Sequence, residues 1–161
     1  MMTKNVSDDG PVLAVIRQVL LAIVLLEIVG TTTELILLDH TEDIRQWIPL
    51  VLLAVALVAF IWQSFDRGEF STRLIRWLMI SFIGAGLAGV YFHFQGSAEF
   101  KLESNPSLRG WPLFWAAVRA KTPPLLAPGA MIQLGLLGWV YTYNHPALYR
   151  NRQKGEHDVS Q

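Results

Sequence analysis

Residues 47–62 read WIPLVLLAVALVAFIW, an apolar stretch with a tryptophan at each end. Tryptophan rings favour the two membrane–water interfaces, so Trp47 and Trp62 mark where an apolar helix enters and leaves the hydrocarbon. Crossing about 30 Å of hydrocarbon at 1.5 Å per residue takes roughly 20 residues. The stretch is therefore the apolar centre of a transmembrane helix, and it predicts an all-α membrane protein.

Three further apolar blocks approach or exceed the length that crosses a bilayer. They cover residues 12–38, 74–94 and 124–143. With residues 47–62 they predict four transmembrane helices in an antiparallel bundle, which form one domain over residues 12–143. A polar segment, residues 1–11, precedes the domain, and a polar tail, residues 144–161, follows it. The first block far exceeds the roughly 7–15 apolar residues of a secretory signal, so we expect it to be retained.

The charge and cysteine content exclude several classes of function. The net charge is +0, which provides no field to attract nucleic acid. The sequence has no cysteine, so disulfides, thiolate metal sites and iron–sulfur clusters are excluded. It also lacks a nucleophile with a base at helical spacing, a phosphate-binding glycine loop and a dinucleotide fingerprint. We therefore expect no nucleic-acid partner and no enzyme of the common classes.

The distribution of basic residues predicts the orientation in the membrane. With four spans, eight lysines and arginines lie on the side of both termini and five lie on the other side. The positive-inside rule places the richer side in the cytoplasm. We therefore predict a bacterial inner-membrane protein with both termini in the cytoplasm and its longest connection, residues 95–122, outside.

This external connection is predicted to have structure of its own. Residues 98–103 alternate apolar and charged side chains, which is typical of an extended segment with one apolar face. Trp111, Phe114, Trp115 and Val118 follow at helical spacing and predict a short amphipathic helix over residues 111–121. Such a helix either lies in the membrane interface or caps the bundle, and the three aromatic rings should then be shielded from water.

Glu27 is the most informative residue, because an ionised carboxylate near the middle of a span costs at least about 2.5 kcal/mol. Glu27, Thr31 and Glu34 share one face of the first helix, which should point into the bundle. Gln133 in the fourth helix lies at a matching depth and could bond Thr31 or Glu27. Two interpretations of Glu27 stay open: a protonated group that links helices, and a proton-relay or ligand-binding group.

The third helix carries Ser81, Ala85, Gly89 and His93 at a spacing of four, a small-residue face that permits close helix packing. We expect this face to turn toward the polar face of the first helix. A cluster of polar candidates would then gather at the external end of the bundle, with Glu27 and Gln133 below it. The candidates are Thr31, Glu34, His40, Glu42, Asp43, His93 and Glu99.

Histidine nitrogen and carboxylate oxygen suit zinc, iron or manganese, so Glu34, His40 and His93 are candidate metal ligands. A haem held by His40 and His93 is a second cofactor hypothesis. No established metal-ligand spacing is present. Three outcomes therefore stay open for the external cluster: a metal site, a cofactor or ligand pocket, and a hydrogen-bonded structural clasp.

Three functions compete at this point. The first is a non-catalytic subunit or accessory protein of a larger membrane assembly, whose apolar helix faces contact the lipid bilayer and a membrane-protein partner or a second copy of the chain. The second is a metal- or haem-binding redox or sensor protein that uses the external Glu/His cluster. The third is a small transporter or proton-conducting protein that uses Glu27.

Overall fold

The structure is a computed structural model that describes residues 9–39, 41, 43–66, 68–119 and 126–148. Every regular element within these ranges is helical. The α-helices are α1 (Asp9–Leu37), α2 (Trp47–Phe65), α3 (Glu69–Ser104), α4 (Gly110–Val118) and α5 (Leu126–Thr142). A short 3-10 turn at Ile44–Gln46 leads directly into α2, and another at Pro146–Leu148 follows α5.

Three helices are long and apolar enough to cross a membrane: α1, α2 with its preceding turn, and α3. α1, α2 and α3 contain 29, 19 and 36 residues, which at 1.5 Å per residue correspond to about 44, 29 and 54 Å. Their outward surfaces are apolar; Leu26 is 73% exposed and Val58 is 65% exposed. Lipid would cover such a surface, and the chain is an all-helical membrane protein.

α5 begins where the description resumes after residues 120–125. Its 17 residues span about 26 Å, somewhat less than the hydrocarbon of a typical bilayer. The predicted fourth span, residues 124–143, begins outside the described ranges and stays a prediction.

The segment that was expected to be extended is helical. α3 continues without interruption through residues 98–103 and ends at Ser104. Extending an existing helix adds one hydrogen bond for each residue that is fixed, and alanine, glutamate, lysine and leucine all favour it. Gln95 also donates to the Glu99 carboxylate one turn later, over 3.0 Å. The prediction of an extended segment was wrong. α3 is one continuous helix that extends ten residues beyond the predicted span, residues 74–94, to Ser104.

α3 and α5 form the closest helix pair through glycines on both sides. A Cβ atom on Gly86 would lie 2.8 Å from the carbonyl oxygen of Pro128, and one on Gly135 would lie 2.6 Å from that of Met79. Helices in lipid associate mainly by van der Waals packing, which small residues strengthen by letting the backbones approach. The partner numbers rise in α5 as they fall in α3, so these two helices run in opposite directions.

Gly89, on the small-residue face of α3, lies against the ring of Pro128 in α5. Ala85, Gly89 and His93 of the same face also line a cavity together with Thr31 and Leu35 of α1, and the expectation that this face turns toward the polar face of α1 stays a prediction. Ser81 lies exposed and donates to the carbonyl of Trp77 in its own helix. Among the glycines of α3, Gly86 and Gly89 make the close approach to α5, whereas a Cβ atom on Gly84 or Gly96 would meet nothing within 4 Å. α1 packs on α5 and on α2. α5 thus lies between α1 and α3.

We name the two ends of the helices by what they hold. The end with the start of α1 and the end of α5 is the terminal end, where Arg17 and Thr142 lie. The opposite end is the distal end, where Leu35, Trp47 and Pro128 lie. The buried core runs between them and includes Val24, Ile28, Leu53, Phe60, Met79, Phe82 and Leu134.

α4 confirms a short helix at the predicted place, although it covers Gly110–Val118 rather than residues 111–121 and carries no charged side chain, so its amphipathic character stays a prediction. It packs chiefly on α3, and the ring of Phe114 lies 5.6 Å from that of Phe94. Within the chain, Trp111, Phe114 and Trp115 remain 67%, 39% and 42% exposed. The protein itself does not shield these rings, so the geometry favours the interfacial placement over a cap on the bundle.

Candidate functional site

A large cleft opens at the distal end between four parts of the chain. It encloses about 1080 Å³. Thr31 and Leu35 of α1 line it on one side, residues 43–49 on another, and the start of α5 on a third. Its long wall is α3 from Gly84 to Lys101, a distance of about 25 Å at 1.5 Å per residue. We call this space the distal cleft.

Small side chains on α3 keep the distal cleft open. Gly84, Ala85, Ala88 and Gly89 occupy its wall in the stretch where α3 approaches α5. A Cβ atom on Gly84 would meet nothing within 4 Å, so this part of the wall faces open space. The two prolines Pro49 and Pro128 also line the cleft.

Apolar side chains complete most of the lining. They come from all the surrounding elements and are Leu35, Ile48, Phe92, Phe100 and Met131. Large ligand pockets in proteins share this chemistry, with mainly apolar walls and a few polar groups that fix orientation. The cleft can therefore take up an apolar chain or ring system.

The charged side chains of the cleft lining are exposed or half-buried, and we call the part of the cleft that they line its mouth. Arg45, His93 and Lys101 belong to its lining, together with Asp43. The guanidinium carbon of Arg45 lies 4.9 Å from the ring centroid of Phe92, a cation–π contact that holds the charge at the mouth. The mouth thus combines two basic side chains, Arg45 and Lys101, with one carboxylate.

The Asp43 carboxylate already has a structural task. It accepts a hydrogen bond from the backbone N–H of Arg45 over 3.0 Å, and the Gln46 side chain accepts one from the backbone N–H of Asp43 over 3.1 Å. This reciprocal capping box starts the 3-10 turn that leads into α2. The same turn fixes the backbone from which Arg45 reaches Phe92.

Glu27 and Gln133 form the predicted contact between α1 and the last helix. The Gln133 amide Nε2 donates to the Glu27 carboxylate Oε1 over 2.7 Å. The second oxygen, Oε2, is shielded from solvent and accepts no hydrogen bond from any described residue. The contact confirms the depth match between the two helices, and it lies about one helical turn below Thr31 at the cleft.

A second polar site, at the terminal end, escaped the sequence analysis. Gln63 donates to the Thr72 hydroxyl over 3.2 Å and accepts from the Tyr141 hydroxyl over 3.2 Å. All three side chains are buried, and they link α2, α3 and α5. Gln63 directly follows Trp62, the tryptophan that ends the second apolar block. A polar residue at that position was the one feature of the sequence that could have indicated this site. We call these three residues the terminal clasp.

Two arginines complete the terminal end by satisfying carbonyls at the end of α5. Arg76 donates to the carbonyl of Thr142 over 2.6 Å, and Arg17 donates to that of Asn144 over 2.8 Å. The last carbonyls of a helix lack intrahelical partners and carry partial negative charge, so cationic donors stabilise them. Asn144 adopts a left-handed backbone (φ 48°), as is common just after a helix.

The external candidates separate into three groups. Thr31, Asp43 and His93 line the distal cleft. Glu34 and Glu99 are exposed and lie off its lining, Glu99 as the acceptor of the Gln95 bond. His40 and Glu42 lie outside the described residues.

The metal and haem hypotheses gain no geometric support. Among the described residues, no three histidine, aspartate or glutamate side chains come together in a way that could hold a metal ion. The proposed pairing of His40 with His93 falls partly outside the described ranges. The three outcomes for the external cluster therefore stay hypotheses, and three of its members, Thr31, Asp43 and His93, line one cleft.

Comparisons with known proteins give no information on the function. No protein-family model matches the chain, and neither the curated proteins nor the solved structures yield a match.

Proposed function

We propose that this protein is a non-catalytic membrane protein that binds the apolar part of an amphipathic molecule in its distal cleft. The observation that carries the proposal is the cleft itself, with its volume of about 1080 Å³ and its largely apolar lining. Ligand pockets commonly enclose about 300–1,000 Å³ and bury most of their ligand. A lipid-sized amphiphile matches that volume better than a metal ion or a small polar metabolite.

In this proposal the chain is an antiparallel bundle of four spans in a bacterial inner membrane, with both termini in the cytoplasm. The packing of α5 along α3, from Gly86 with Pro128 to Arg76 with Thr142, supports a fourth span. The eight-to-five distribution of basic residues supports the orientation. The distal cleft then faces the outer leaflet.

Reporter fusions test this topology. A reporter after Ser64 and one after Gln161 should both give a cytoplasmic signal, and one after Lys101 should give an external signal. An external signal from the C-terminal fusion would overturn the orientation.

Photo-crosslinking tests the binding function. We would reconstitute the full chain in vesicles that contain phosphatidylcholine with a diazirine on its acyl chain, and map the labelled residues by mass spectrometry. Thr31 and Met131 line the cleft, and Met131 is buried from the surrounding lipid. The expected result is labelling at these two positions.

Two tryptophan variants separate the cleft from the general lipid surface. Ala88→Trp places a large ring inside the cleft and should abolish the labelling of Met131. Leu87→Trp puts the same ring on the neighbouring exposed position and should preserve it. Gly84→Phe offers a second block, because a Cβ there meets open space. Equal labelling in the blocked and control variants would overturn the proposal.

Glu27 supports a second candidate function, proton binding or conduction within the membrane. Its Oε2 is shielded from solvent without a hydrogen bond from the described residues, at a depth where ionised groups are rare unless they have a function. Proton flux into vesicles with an internal pH dye would test this. Glu27→Gln should abolish a flux that Glu34→Gln, an exposed change on the same helix, leaves intact; equal flux in both would exclude this function.

The accessory-subunit hypothesis concerns a different surface. α2 exposes Val51, Val55, Val58 and Ile61 along one stripe. Either lipid or a helix of a partner would cover this stripe, including a helix from a second copy of the chain. Purification in mild detergent, followed by mass determination of the intact complex, would show whether a membrane-protein partner is present.

A further inference from the structure

We infer that the occupant of the distal cleft is a phospholipid with an anionic headgroup, drawn from the leaflet that the cleft faces; this inference rests on the proposed function. The observation behind it is the placement of Arg45 and Lys101 at the mouth of an otherwise mainly apolar cleft. A phosphate at the mouth and an acyl chain between the helices would match both parts of the lining.

The charge at the mouth is available to a ligand. Within the described part of the chain, neither Arg45 nor Lys101 takes part in an ion pair, whereas Arg73 pairs with Glu69 at the terminal end. The Asp43 carboxylate accepts from the backbone of Arg45 rather than from its guanidinium. The mouth therefore keeps a surplus of positive charge, and arginine suits phosphate because its planar fork can donate two parallel hydrogen bonds.

The depth of these groups matches a lipid headgroup. Arg45 lies two residues before Trp47, the tryptophan that marks the interface, and contacts Phe92 near the end of the predicted third span. Lys101 lies further along α3, but helical side chains tilt toward the helix N-terminus, so its chain reaches back toward that level. Both cations thus lie near the boundary where phosphates sit.

The apolar part of the cleft matches an acyl chain within one leaflet. From Phe92 down to Gly84 the wall is about 12 Å long at 1.5 Å per residue, compared with about 15 Å for half of the hydrocarbon. An inorganic anion would bind only at the exposed mouth and leave this wall empty. A phospholipid would fill both the mouth and the apolar wall, so we infer that the occupant is a phospholipid.

The test compares two lipids that differ only in charge. Diazirine-bearing phosphatidylglycerol and phosphatidylcholine with identical acyl chains would be added separately to vesicles that contain the full-length protein. We expect phosphatidylglycerol to label Met131 about fivefold more, a difference of about 1 kcal/mol. The preference should fall as salt is raised, because exposed charges are screened.

Matched variants identify the groups responsible. The double change Arg45→Gln and Lys101→Gln should remove the preference, so that phosphatidylglycerol and phosphatidylcholine label Met131 equally. The control, Arg109→Gln and Arg119→Gln, removes the same charge from exposed positions off the lining of the cleft and should keep the preference. If the first double variant fails to fold, the salt dependence of the unaltered protein decides the matter.

The outcomes distinguish this inference from the proposed function. Equal labelling of Met131 by both lipids, or a preference that persists at high salt, would contradict the inference that the headgroup is anionic. The proposal that the distal cleft binds a lipid would still hold. Displacement of the probe by free palmitate but not by unlabelled phosphatidylglycerol would assign the cleft to a fatty acid and also overturn the inference. Absence of cleft labelling by either lipid would overturn the proposed function itself.

Discussion

The terminal and distal ends of this protein use polar residues in opposite ways. At the terminal end, Gln63, Thr72 and Tyr141 are buried and bond one another across three helices. At the distal end, Arg45 and Lys101 line an open cleft and form no ion pair with a described residue. Buried polar groups that satisfy each other hold helices together, whereas groups left at an open mouth are available to a ligand. The polar residues that stabilise the bundle thus lie at its terminal end, and those that we propose to bind a ligand lie at its distal end.

The α3–α5 contact supports both ends, so breaking it should have the largest effect. Gly135→Ala places a Cβ atom 2.6 Å from the carbonyl oxygen of Met79. The helices must separate, and we expect a loss of about 1–3 kcal/mol in unfolding free energy. Thermal unfolding in detergent would measure it. Gly129→Ala in the same helix meets nothing within 4 Å and should be neutral or stabilising. Equal melting temperatures for the two variants would contradict this account of the packing.

Opening the terminal clasp should affect stability but not the cleft. Gln63→Leu removes the hydrogen bond to the Thr72 hydroxyl and the one from the buried Tyr141 hydroxyl, at an expected loss of about 1–2 kcal/mol. Ser64→Ala is the control, because Ser64 is exposed and bonds the carbonyl of Phe60 in its own helix. Lipid labelling of Met131 should stay unchanged in both. A change in labelling with Gln63→Leu would mean that the two ends are coupled.

Removing the contact between α1 and α5 should have a smaller effect. Gln133→Leu deletes the donor to Glu27, and hydrogen bonds between transmembrane helices average about 0.6 kcal/mol and reach about 2. Glu34→Gln provides the control on an exposed carboxylate of α1. Melting temperatures of the two variants would be compared. A loss well above that range would show that Glu27 depends on Gln133 for more than one bond.

The smallest effect is expected at α4. Trp111→Ala removes a ring that is 67% exposed within the chain, so the unfolding free energy should change by no more than about 0.5 kcal/mol. Quenching of the tryptophan fluorescence by brominated lipids should nevertheless fall, because an interfacial ring contributes to it. A large loss of stability would instead identify α4 as a cap on the bundle.

The sequence predicted the helices well because their signal is local. Length and continuous apolar character are sufficient to find α1, α2 and α3, and the spacing of aromatic residues is sufficient to find α4. The same local reasoning failed at residues 98–103, because an alternation over six residues is compatible with a helix that has already been nucleated. The contact between Glu27 and Gln133 was predictable from depth alone.

The distal cleft and the terminal clasp could not be predicted, because both depend on which helices are neighbours. The glycines of α3 permit close packing, but they do not say whether the partner is α1 or α5. That choice decides where space is left for the cleft. Gln63 and Tyr141 are 78 residues apart in sequence, and hydropathy carries no information about such a pairing.

The central position of α5 has a consequence for how the protein is made. α5 emerges from the ribosome after the other described helices, yet it supplies the partner of Glu27 in α1, of Gln63 in α2 and of Met79 in α3. Until α5 arrives, Glu27 lacks the donor that Gln133 supplies, and Gln63 lacks the hydrogen bond from Tyr141. Assembly of the bundle is therefore completed late, when α5 inserts. The earlier helices must enter the bilayer while the Glu27 carboxylate still lacks the hydrogen bond from Gln133.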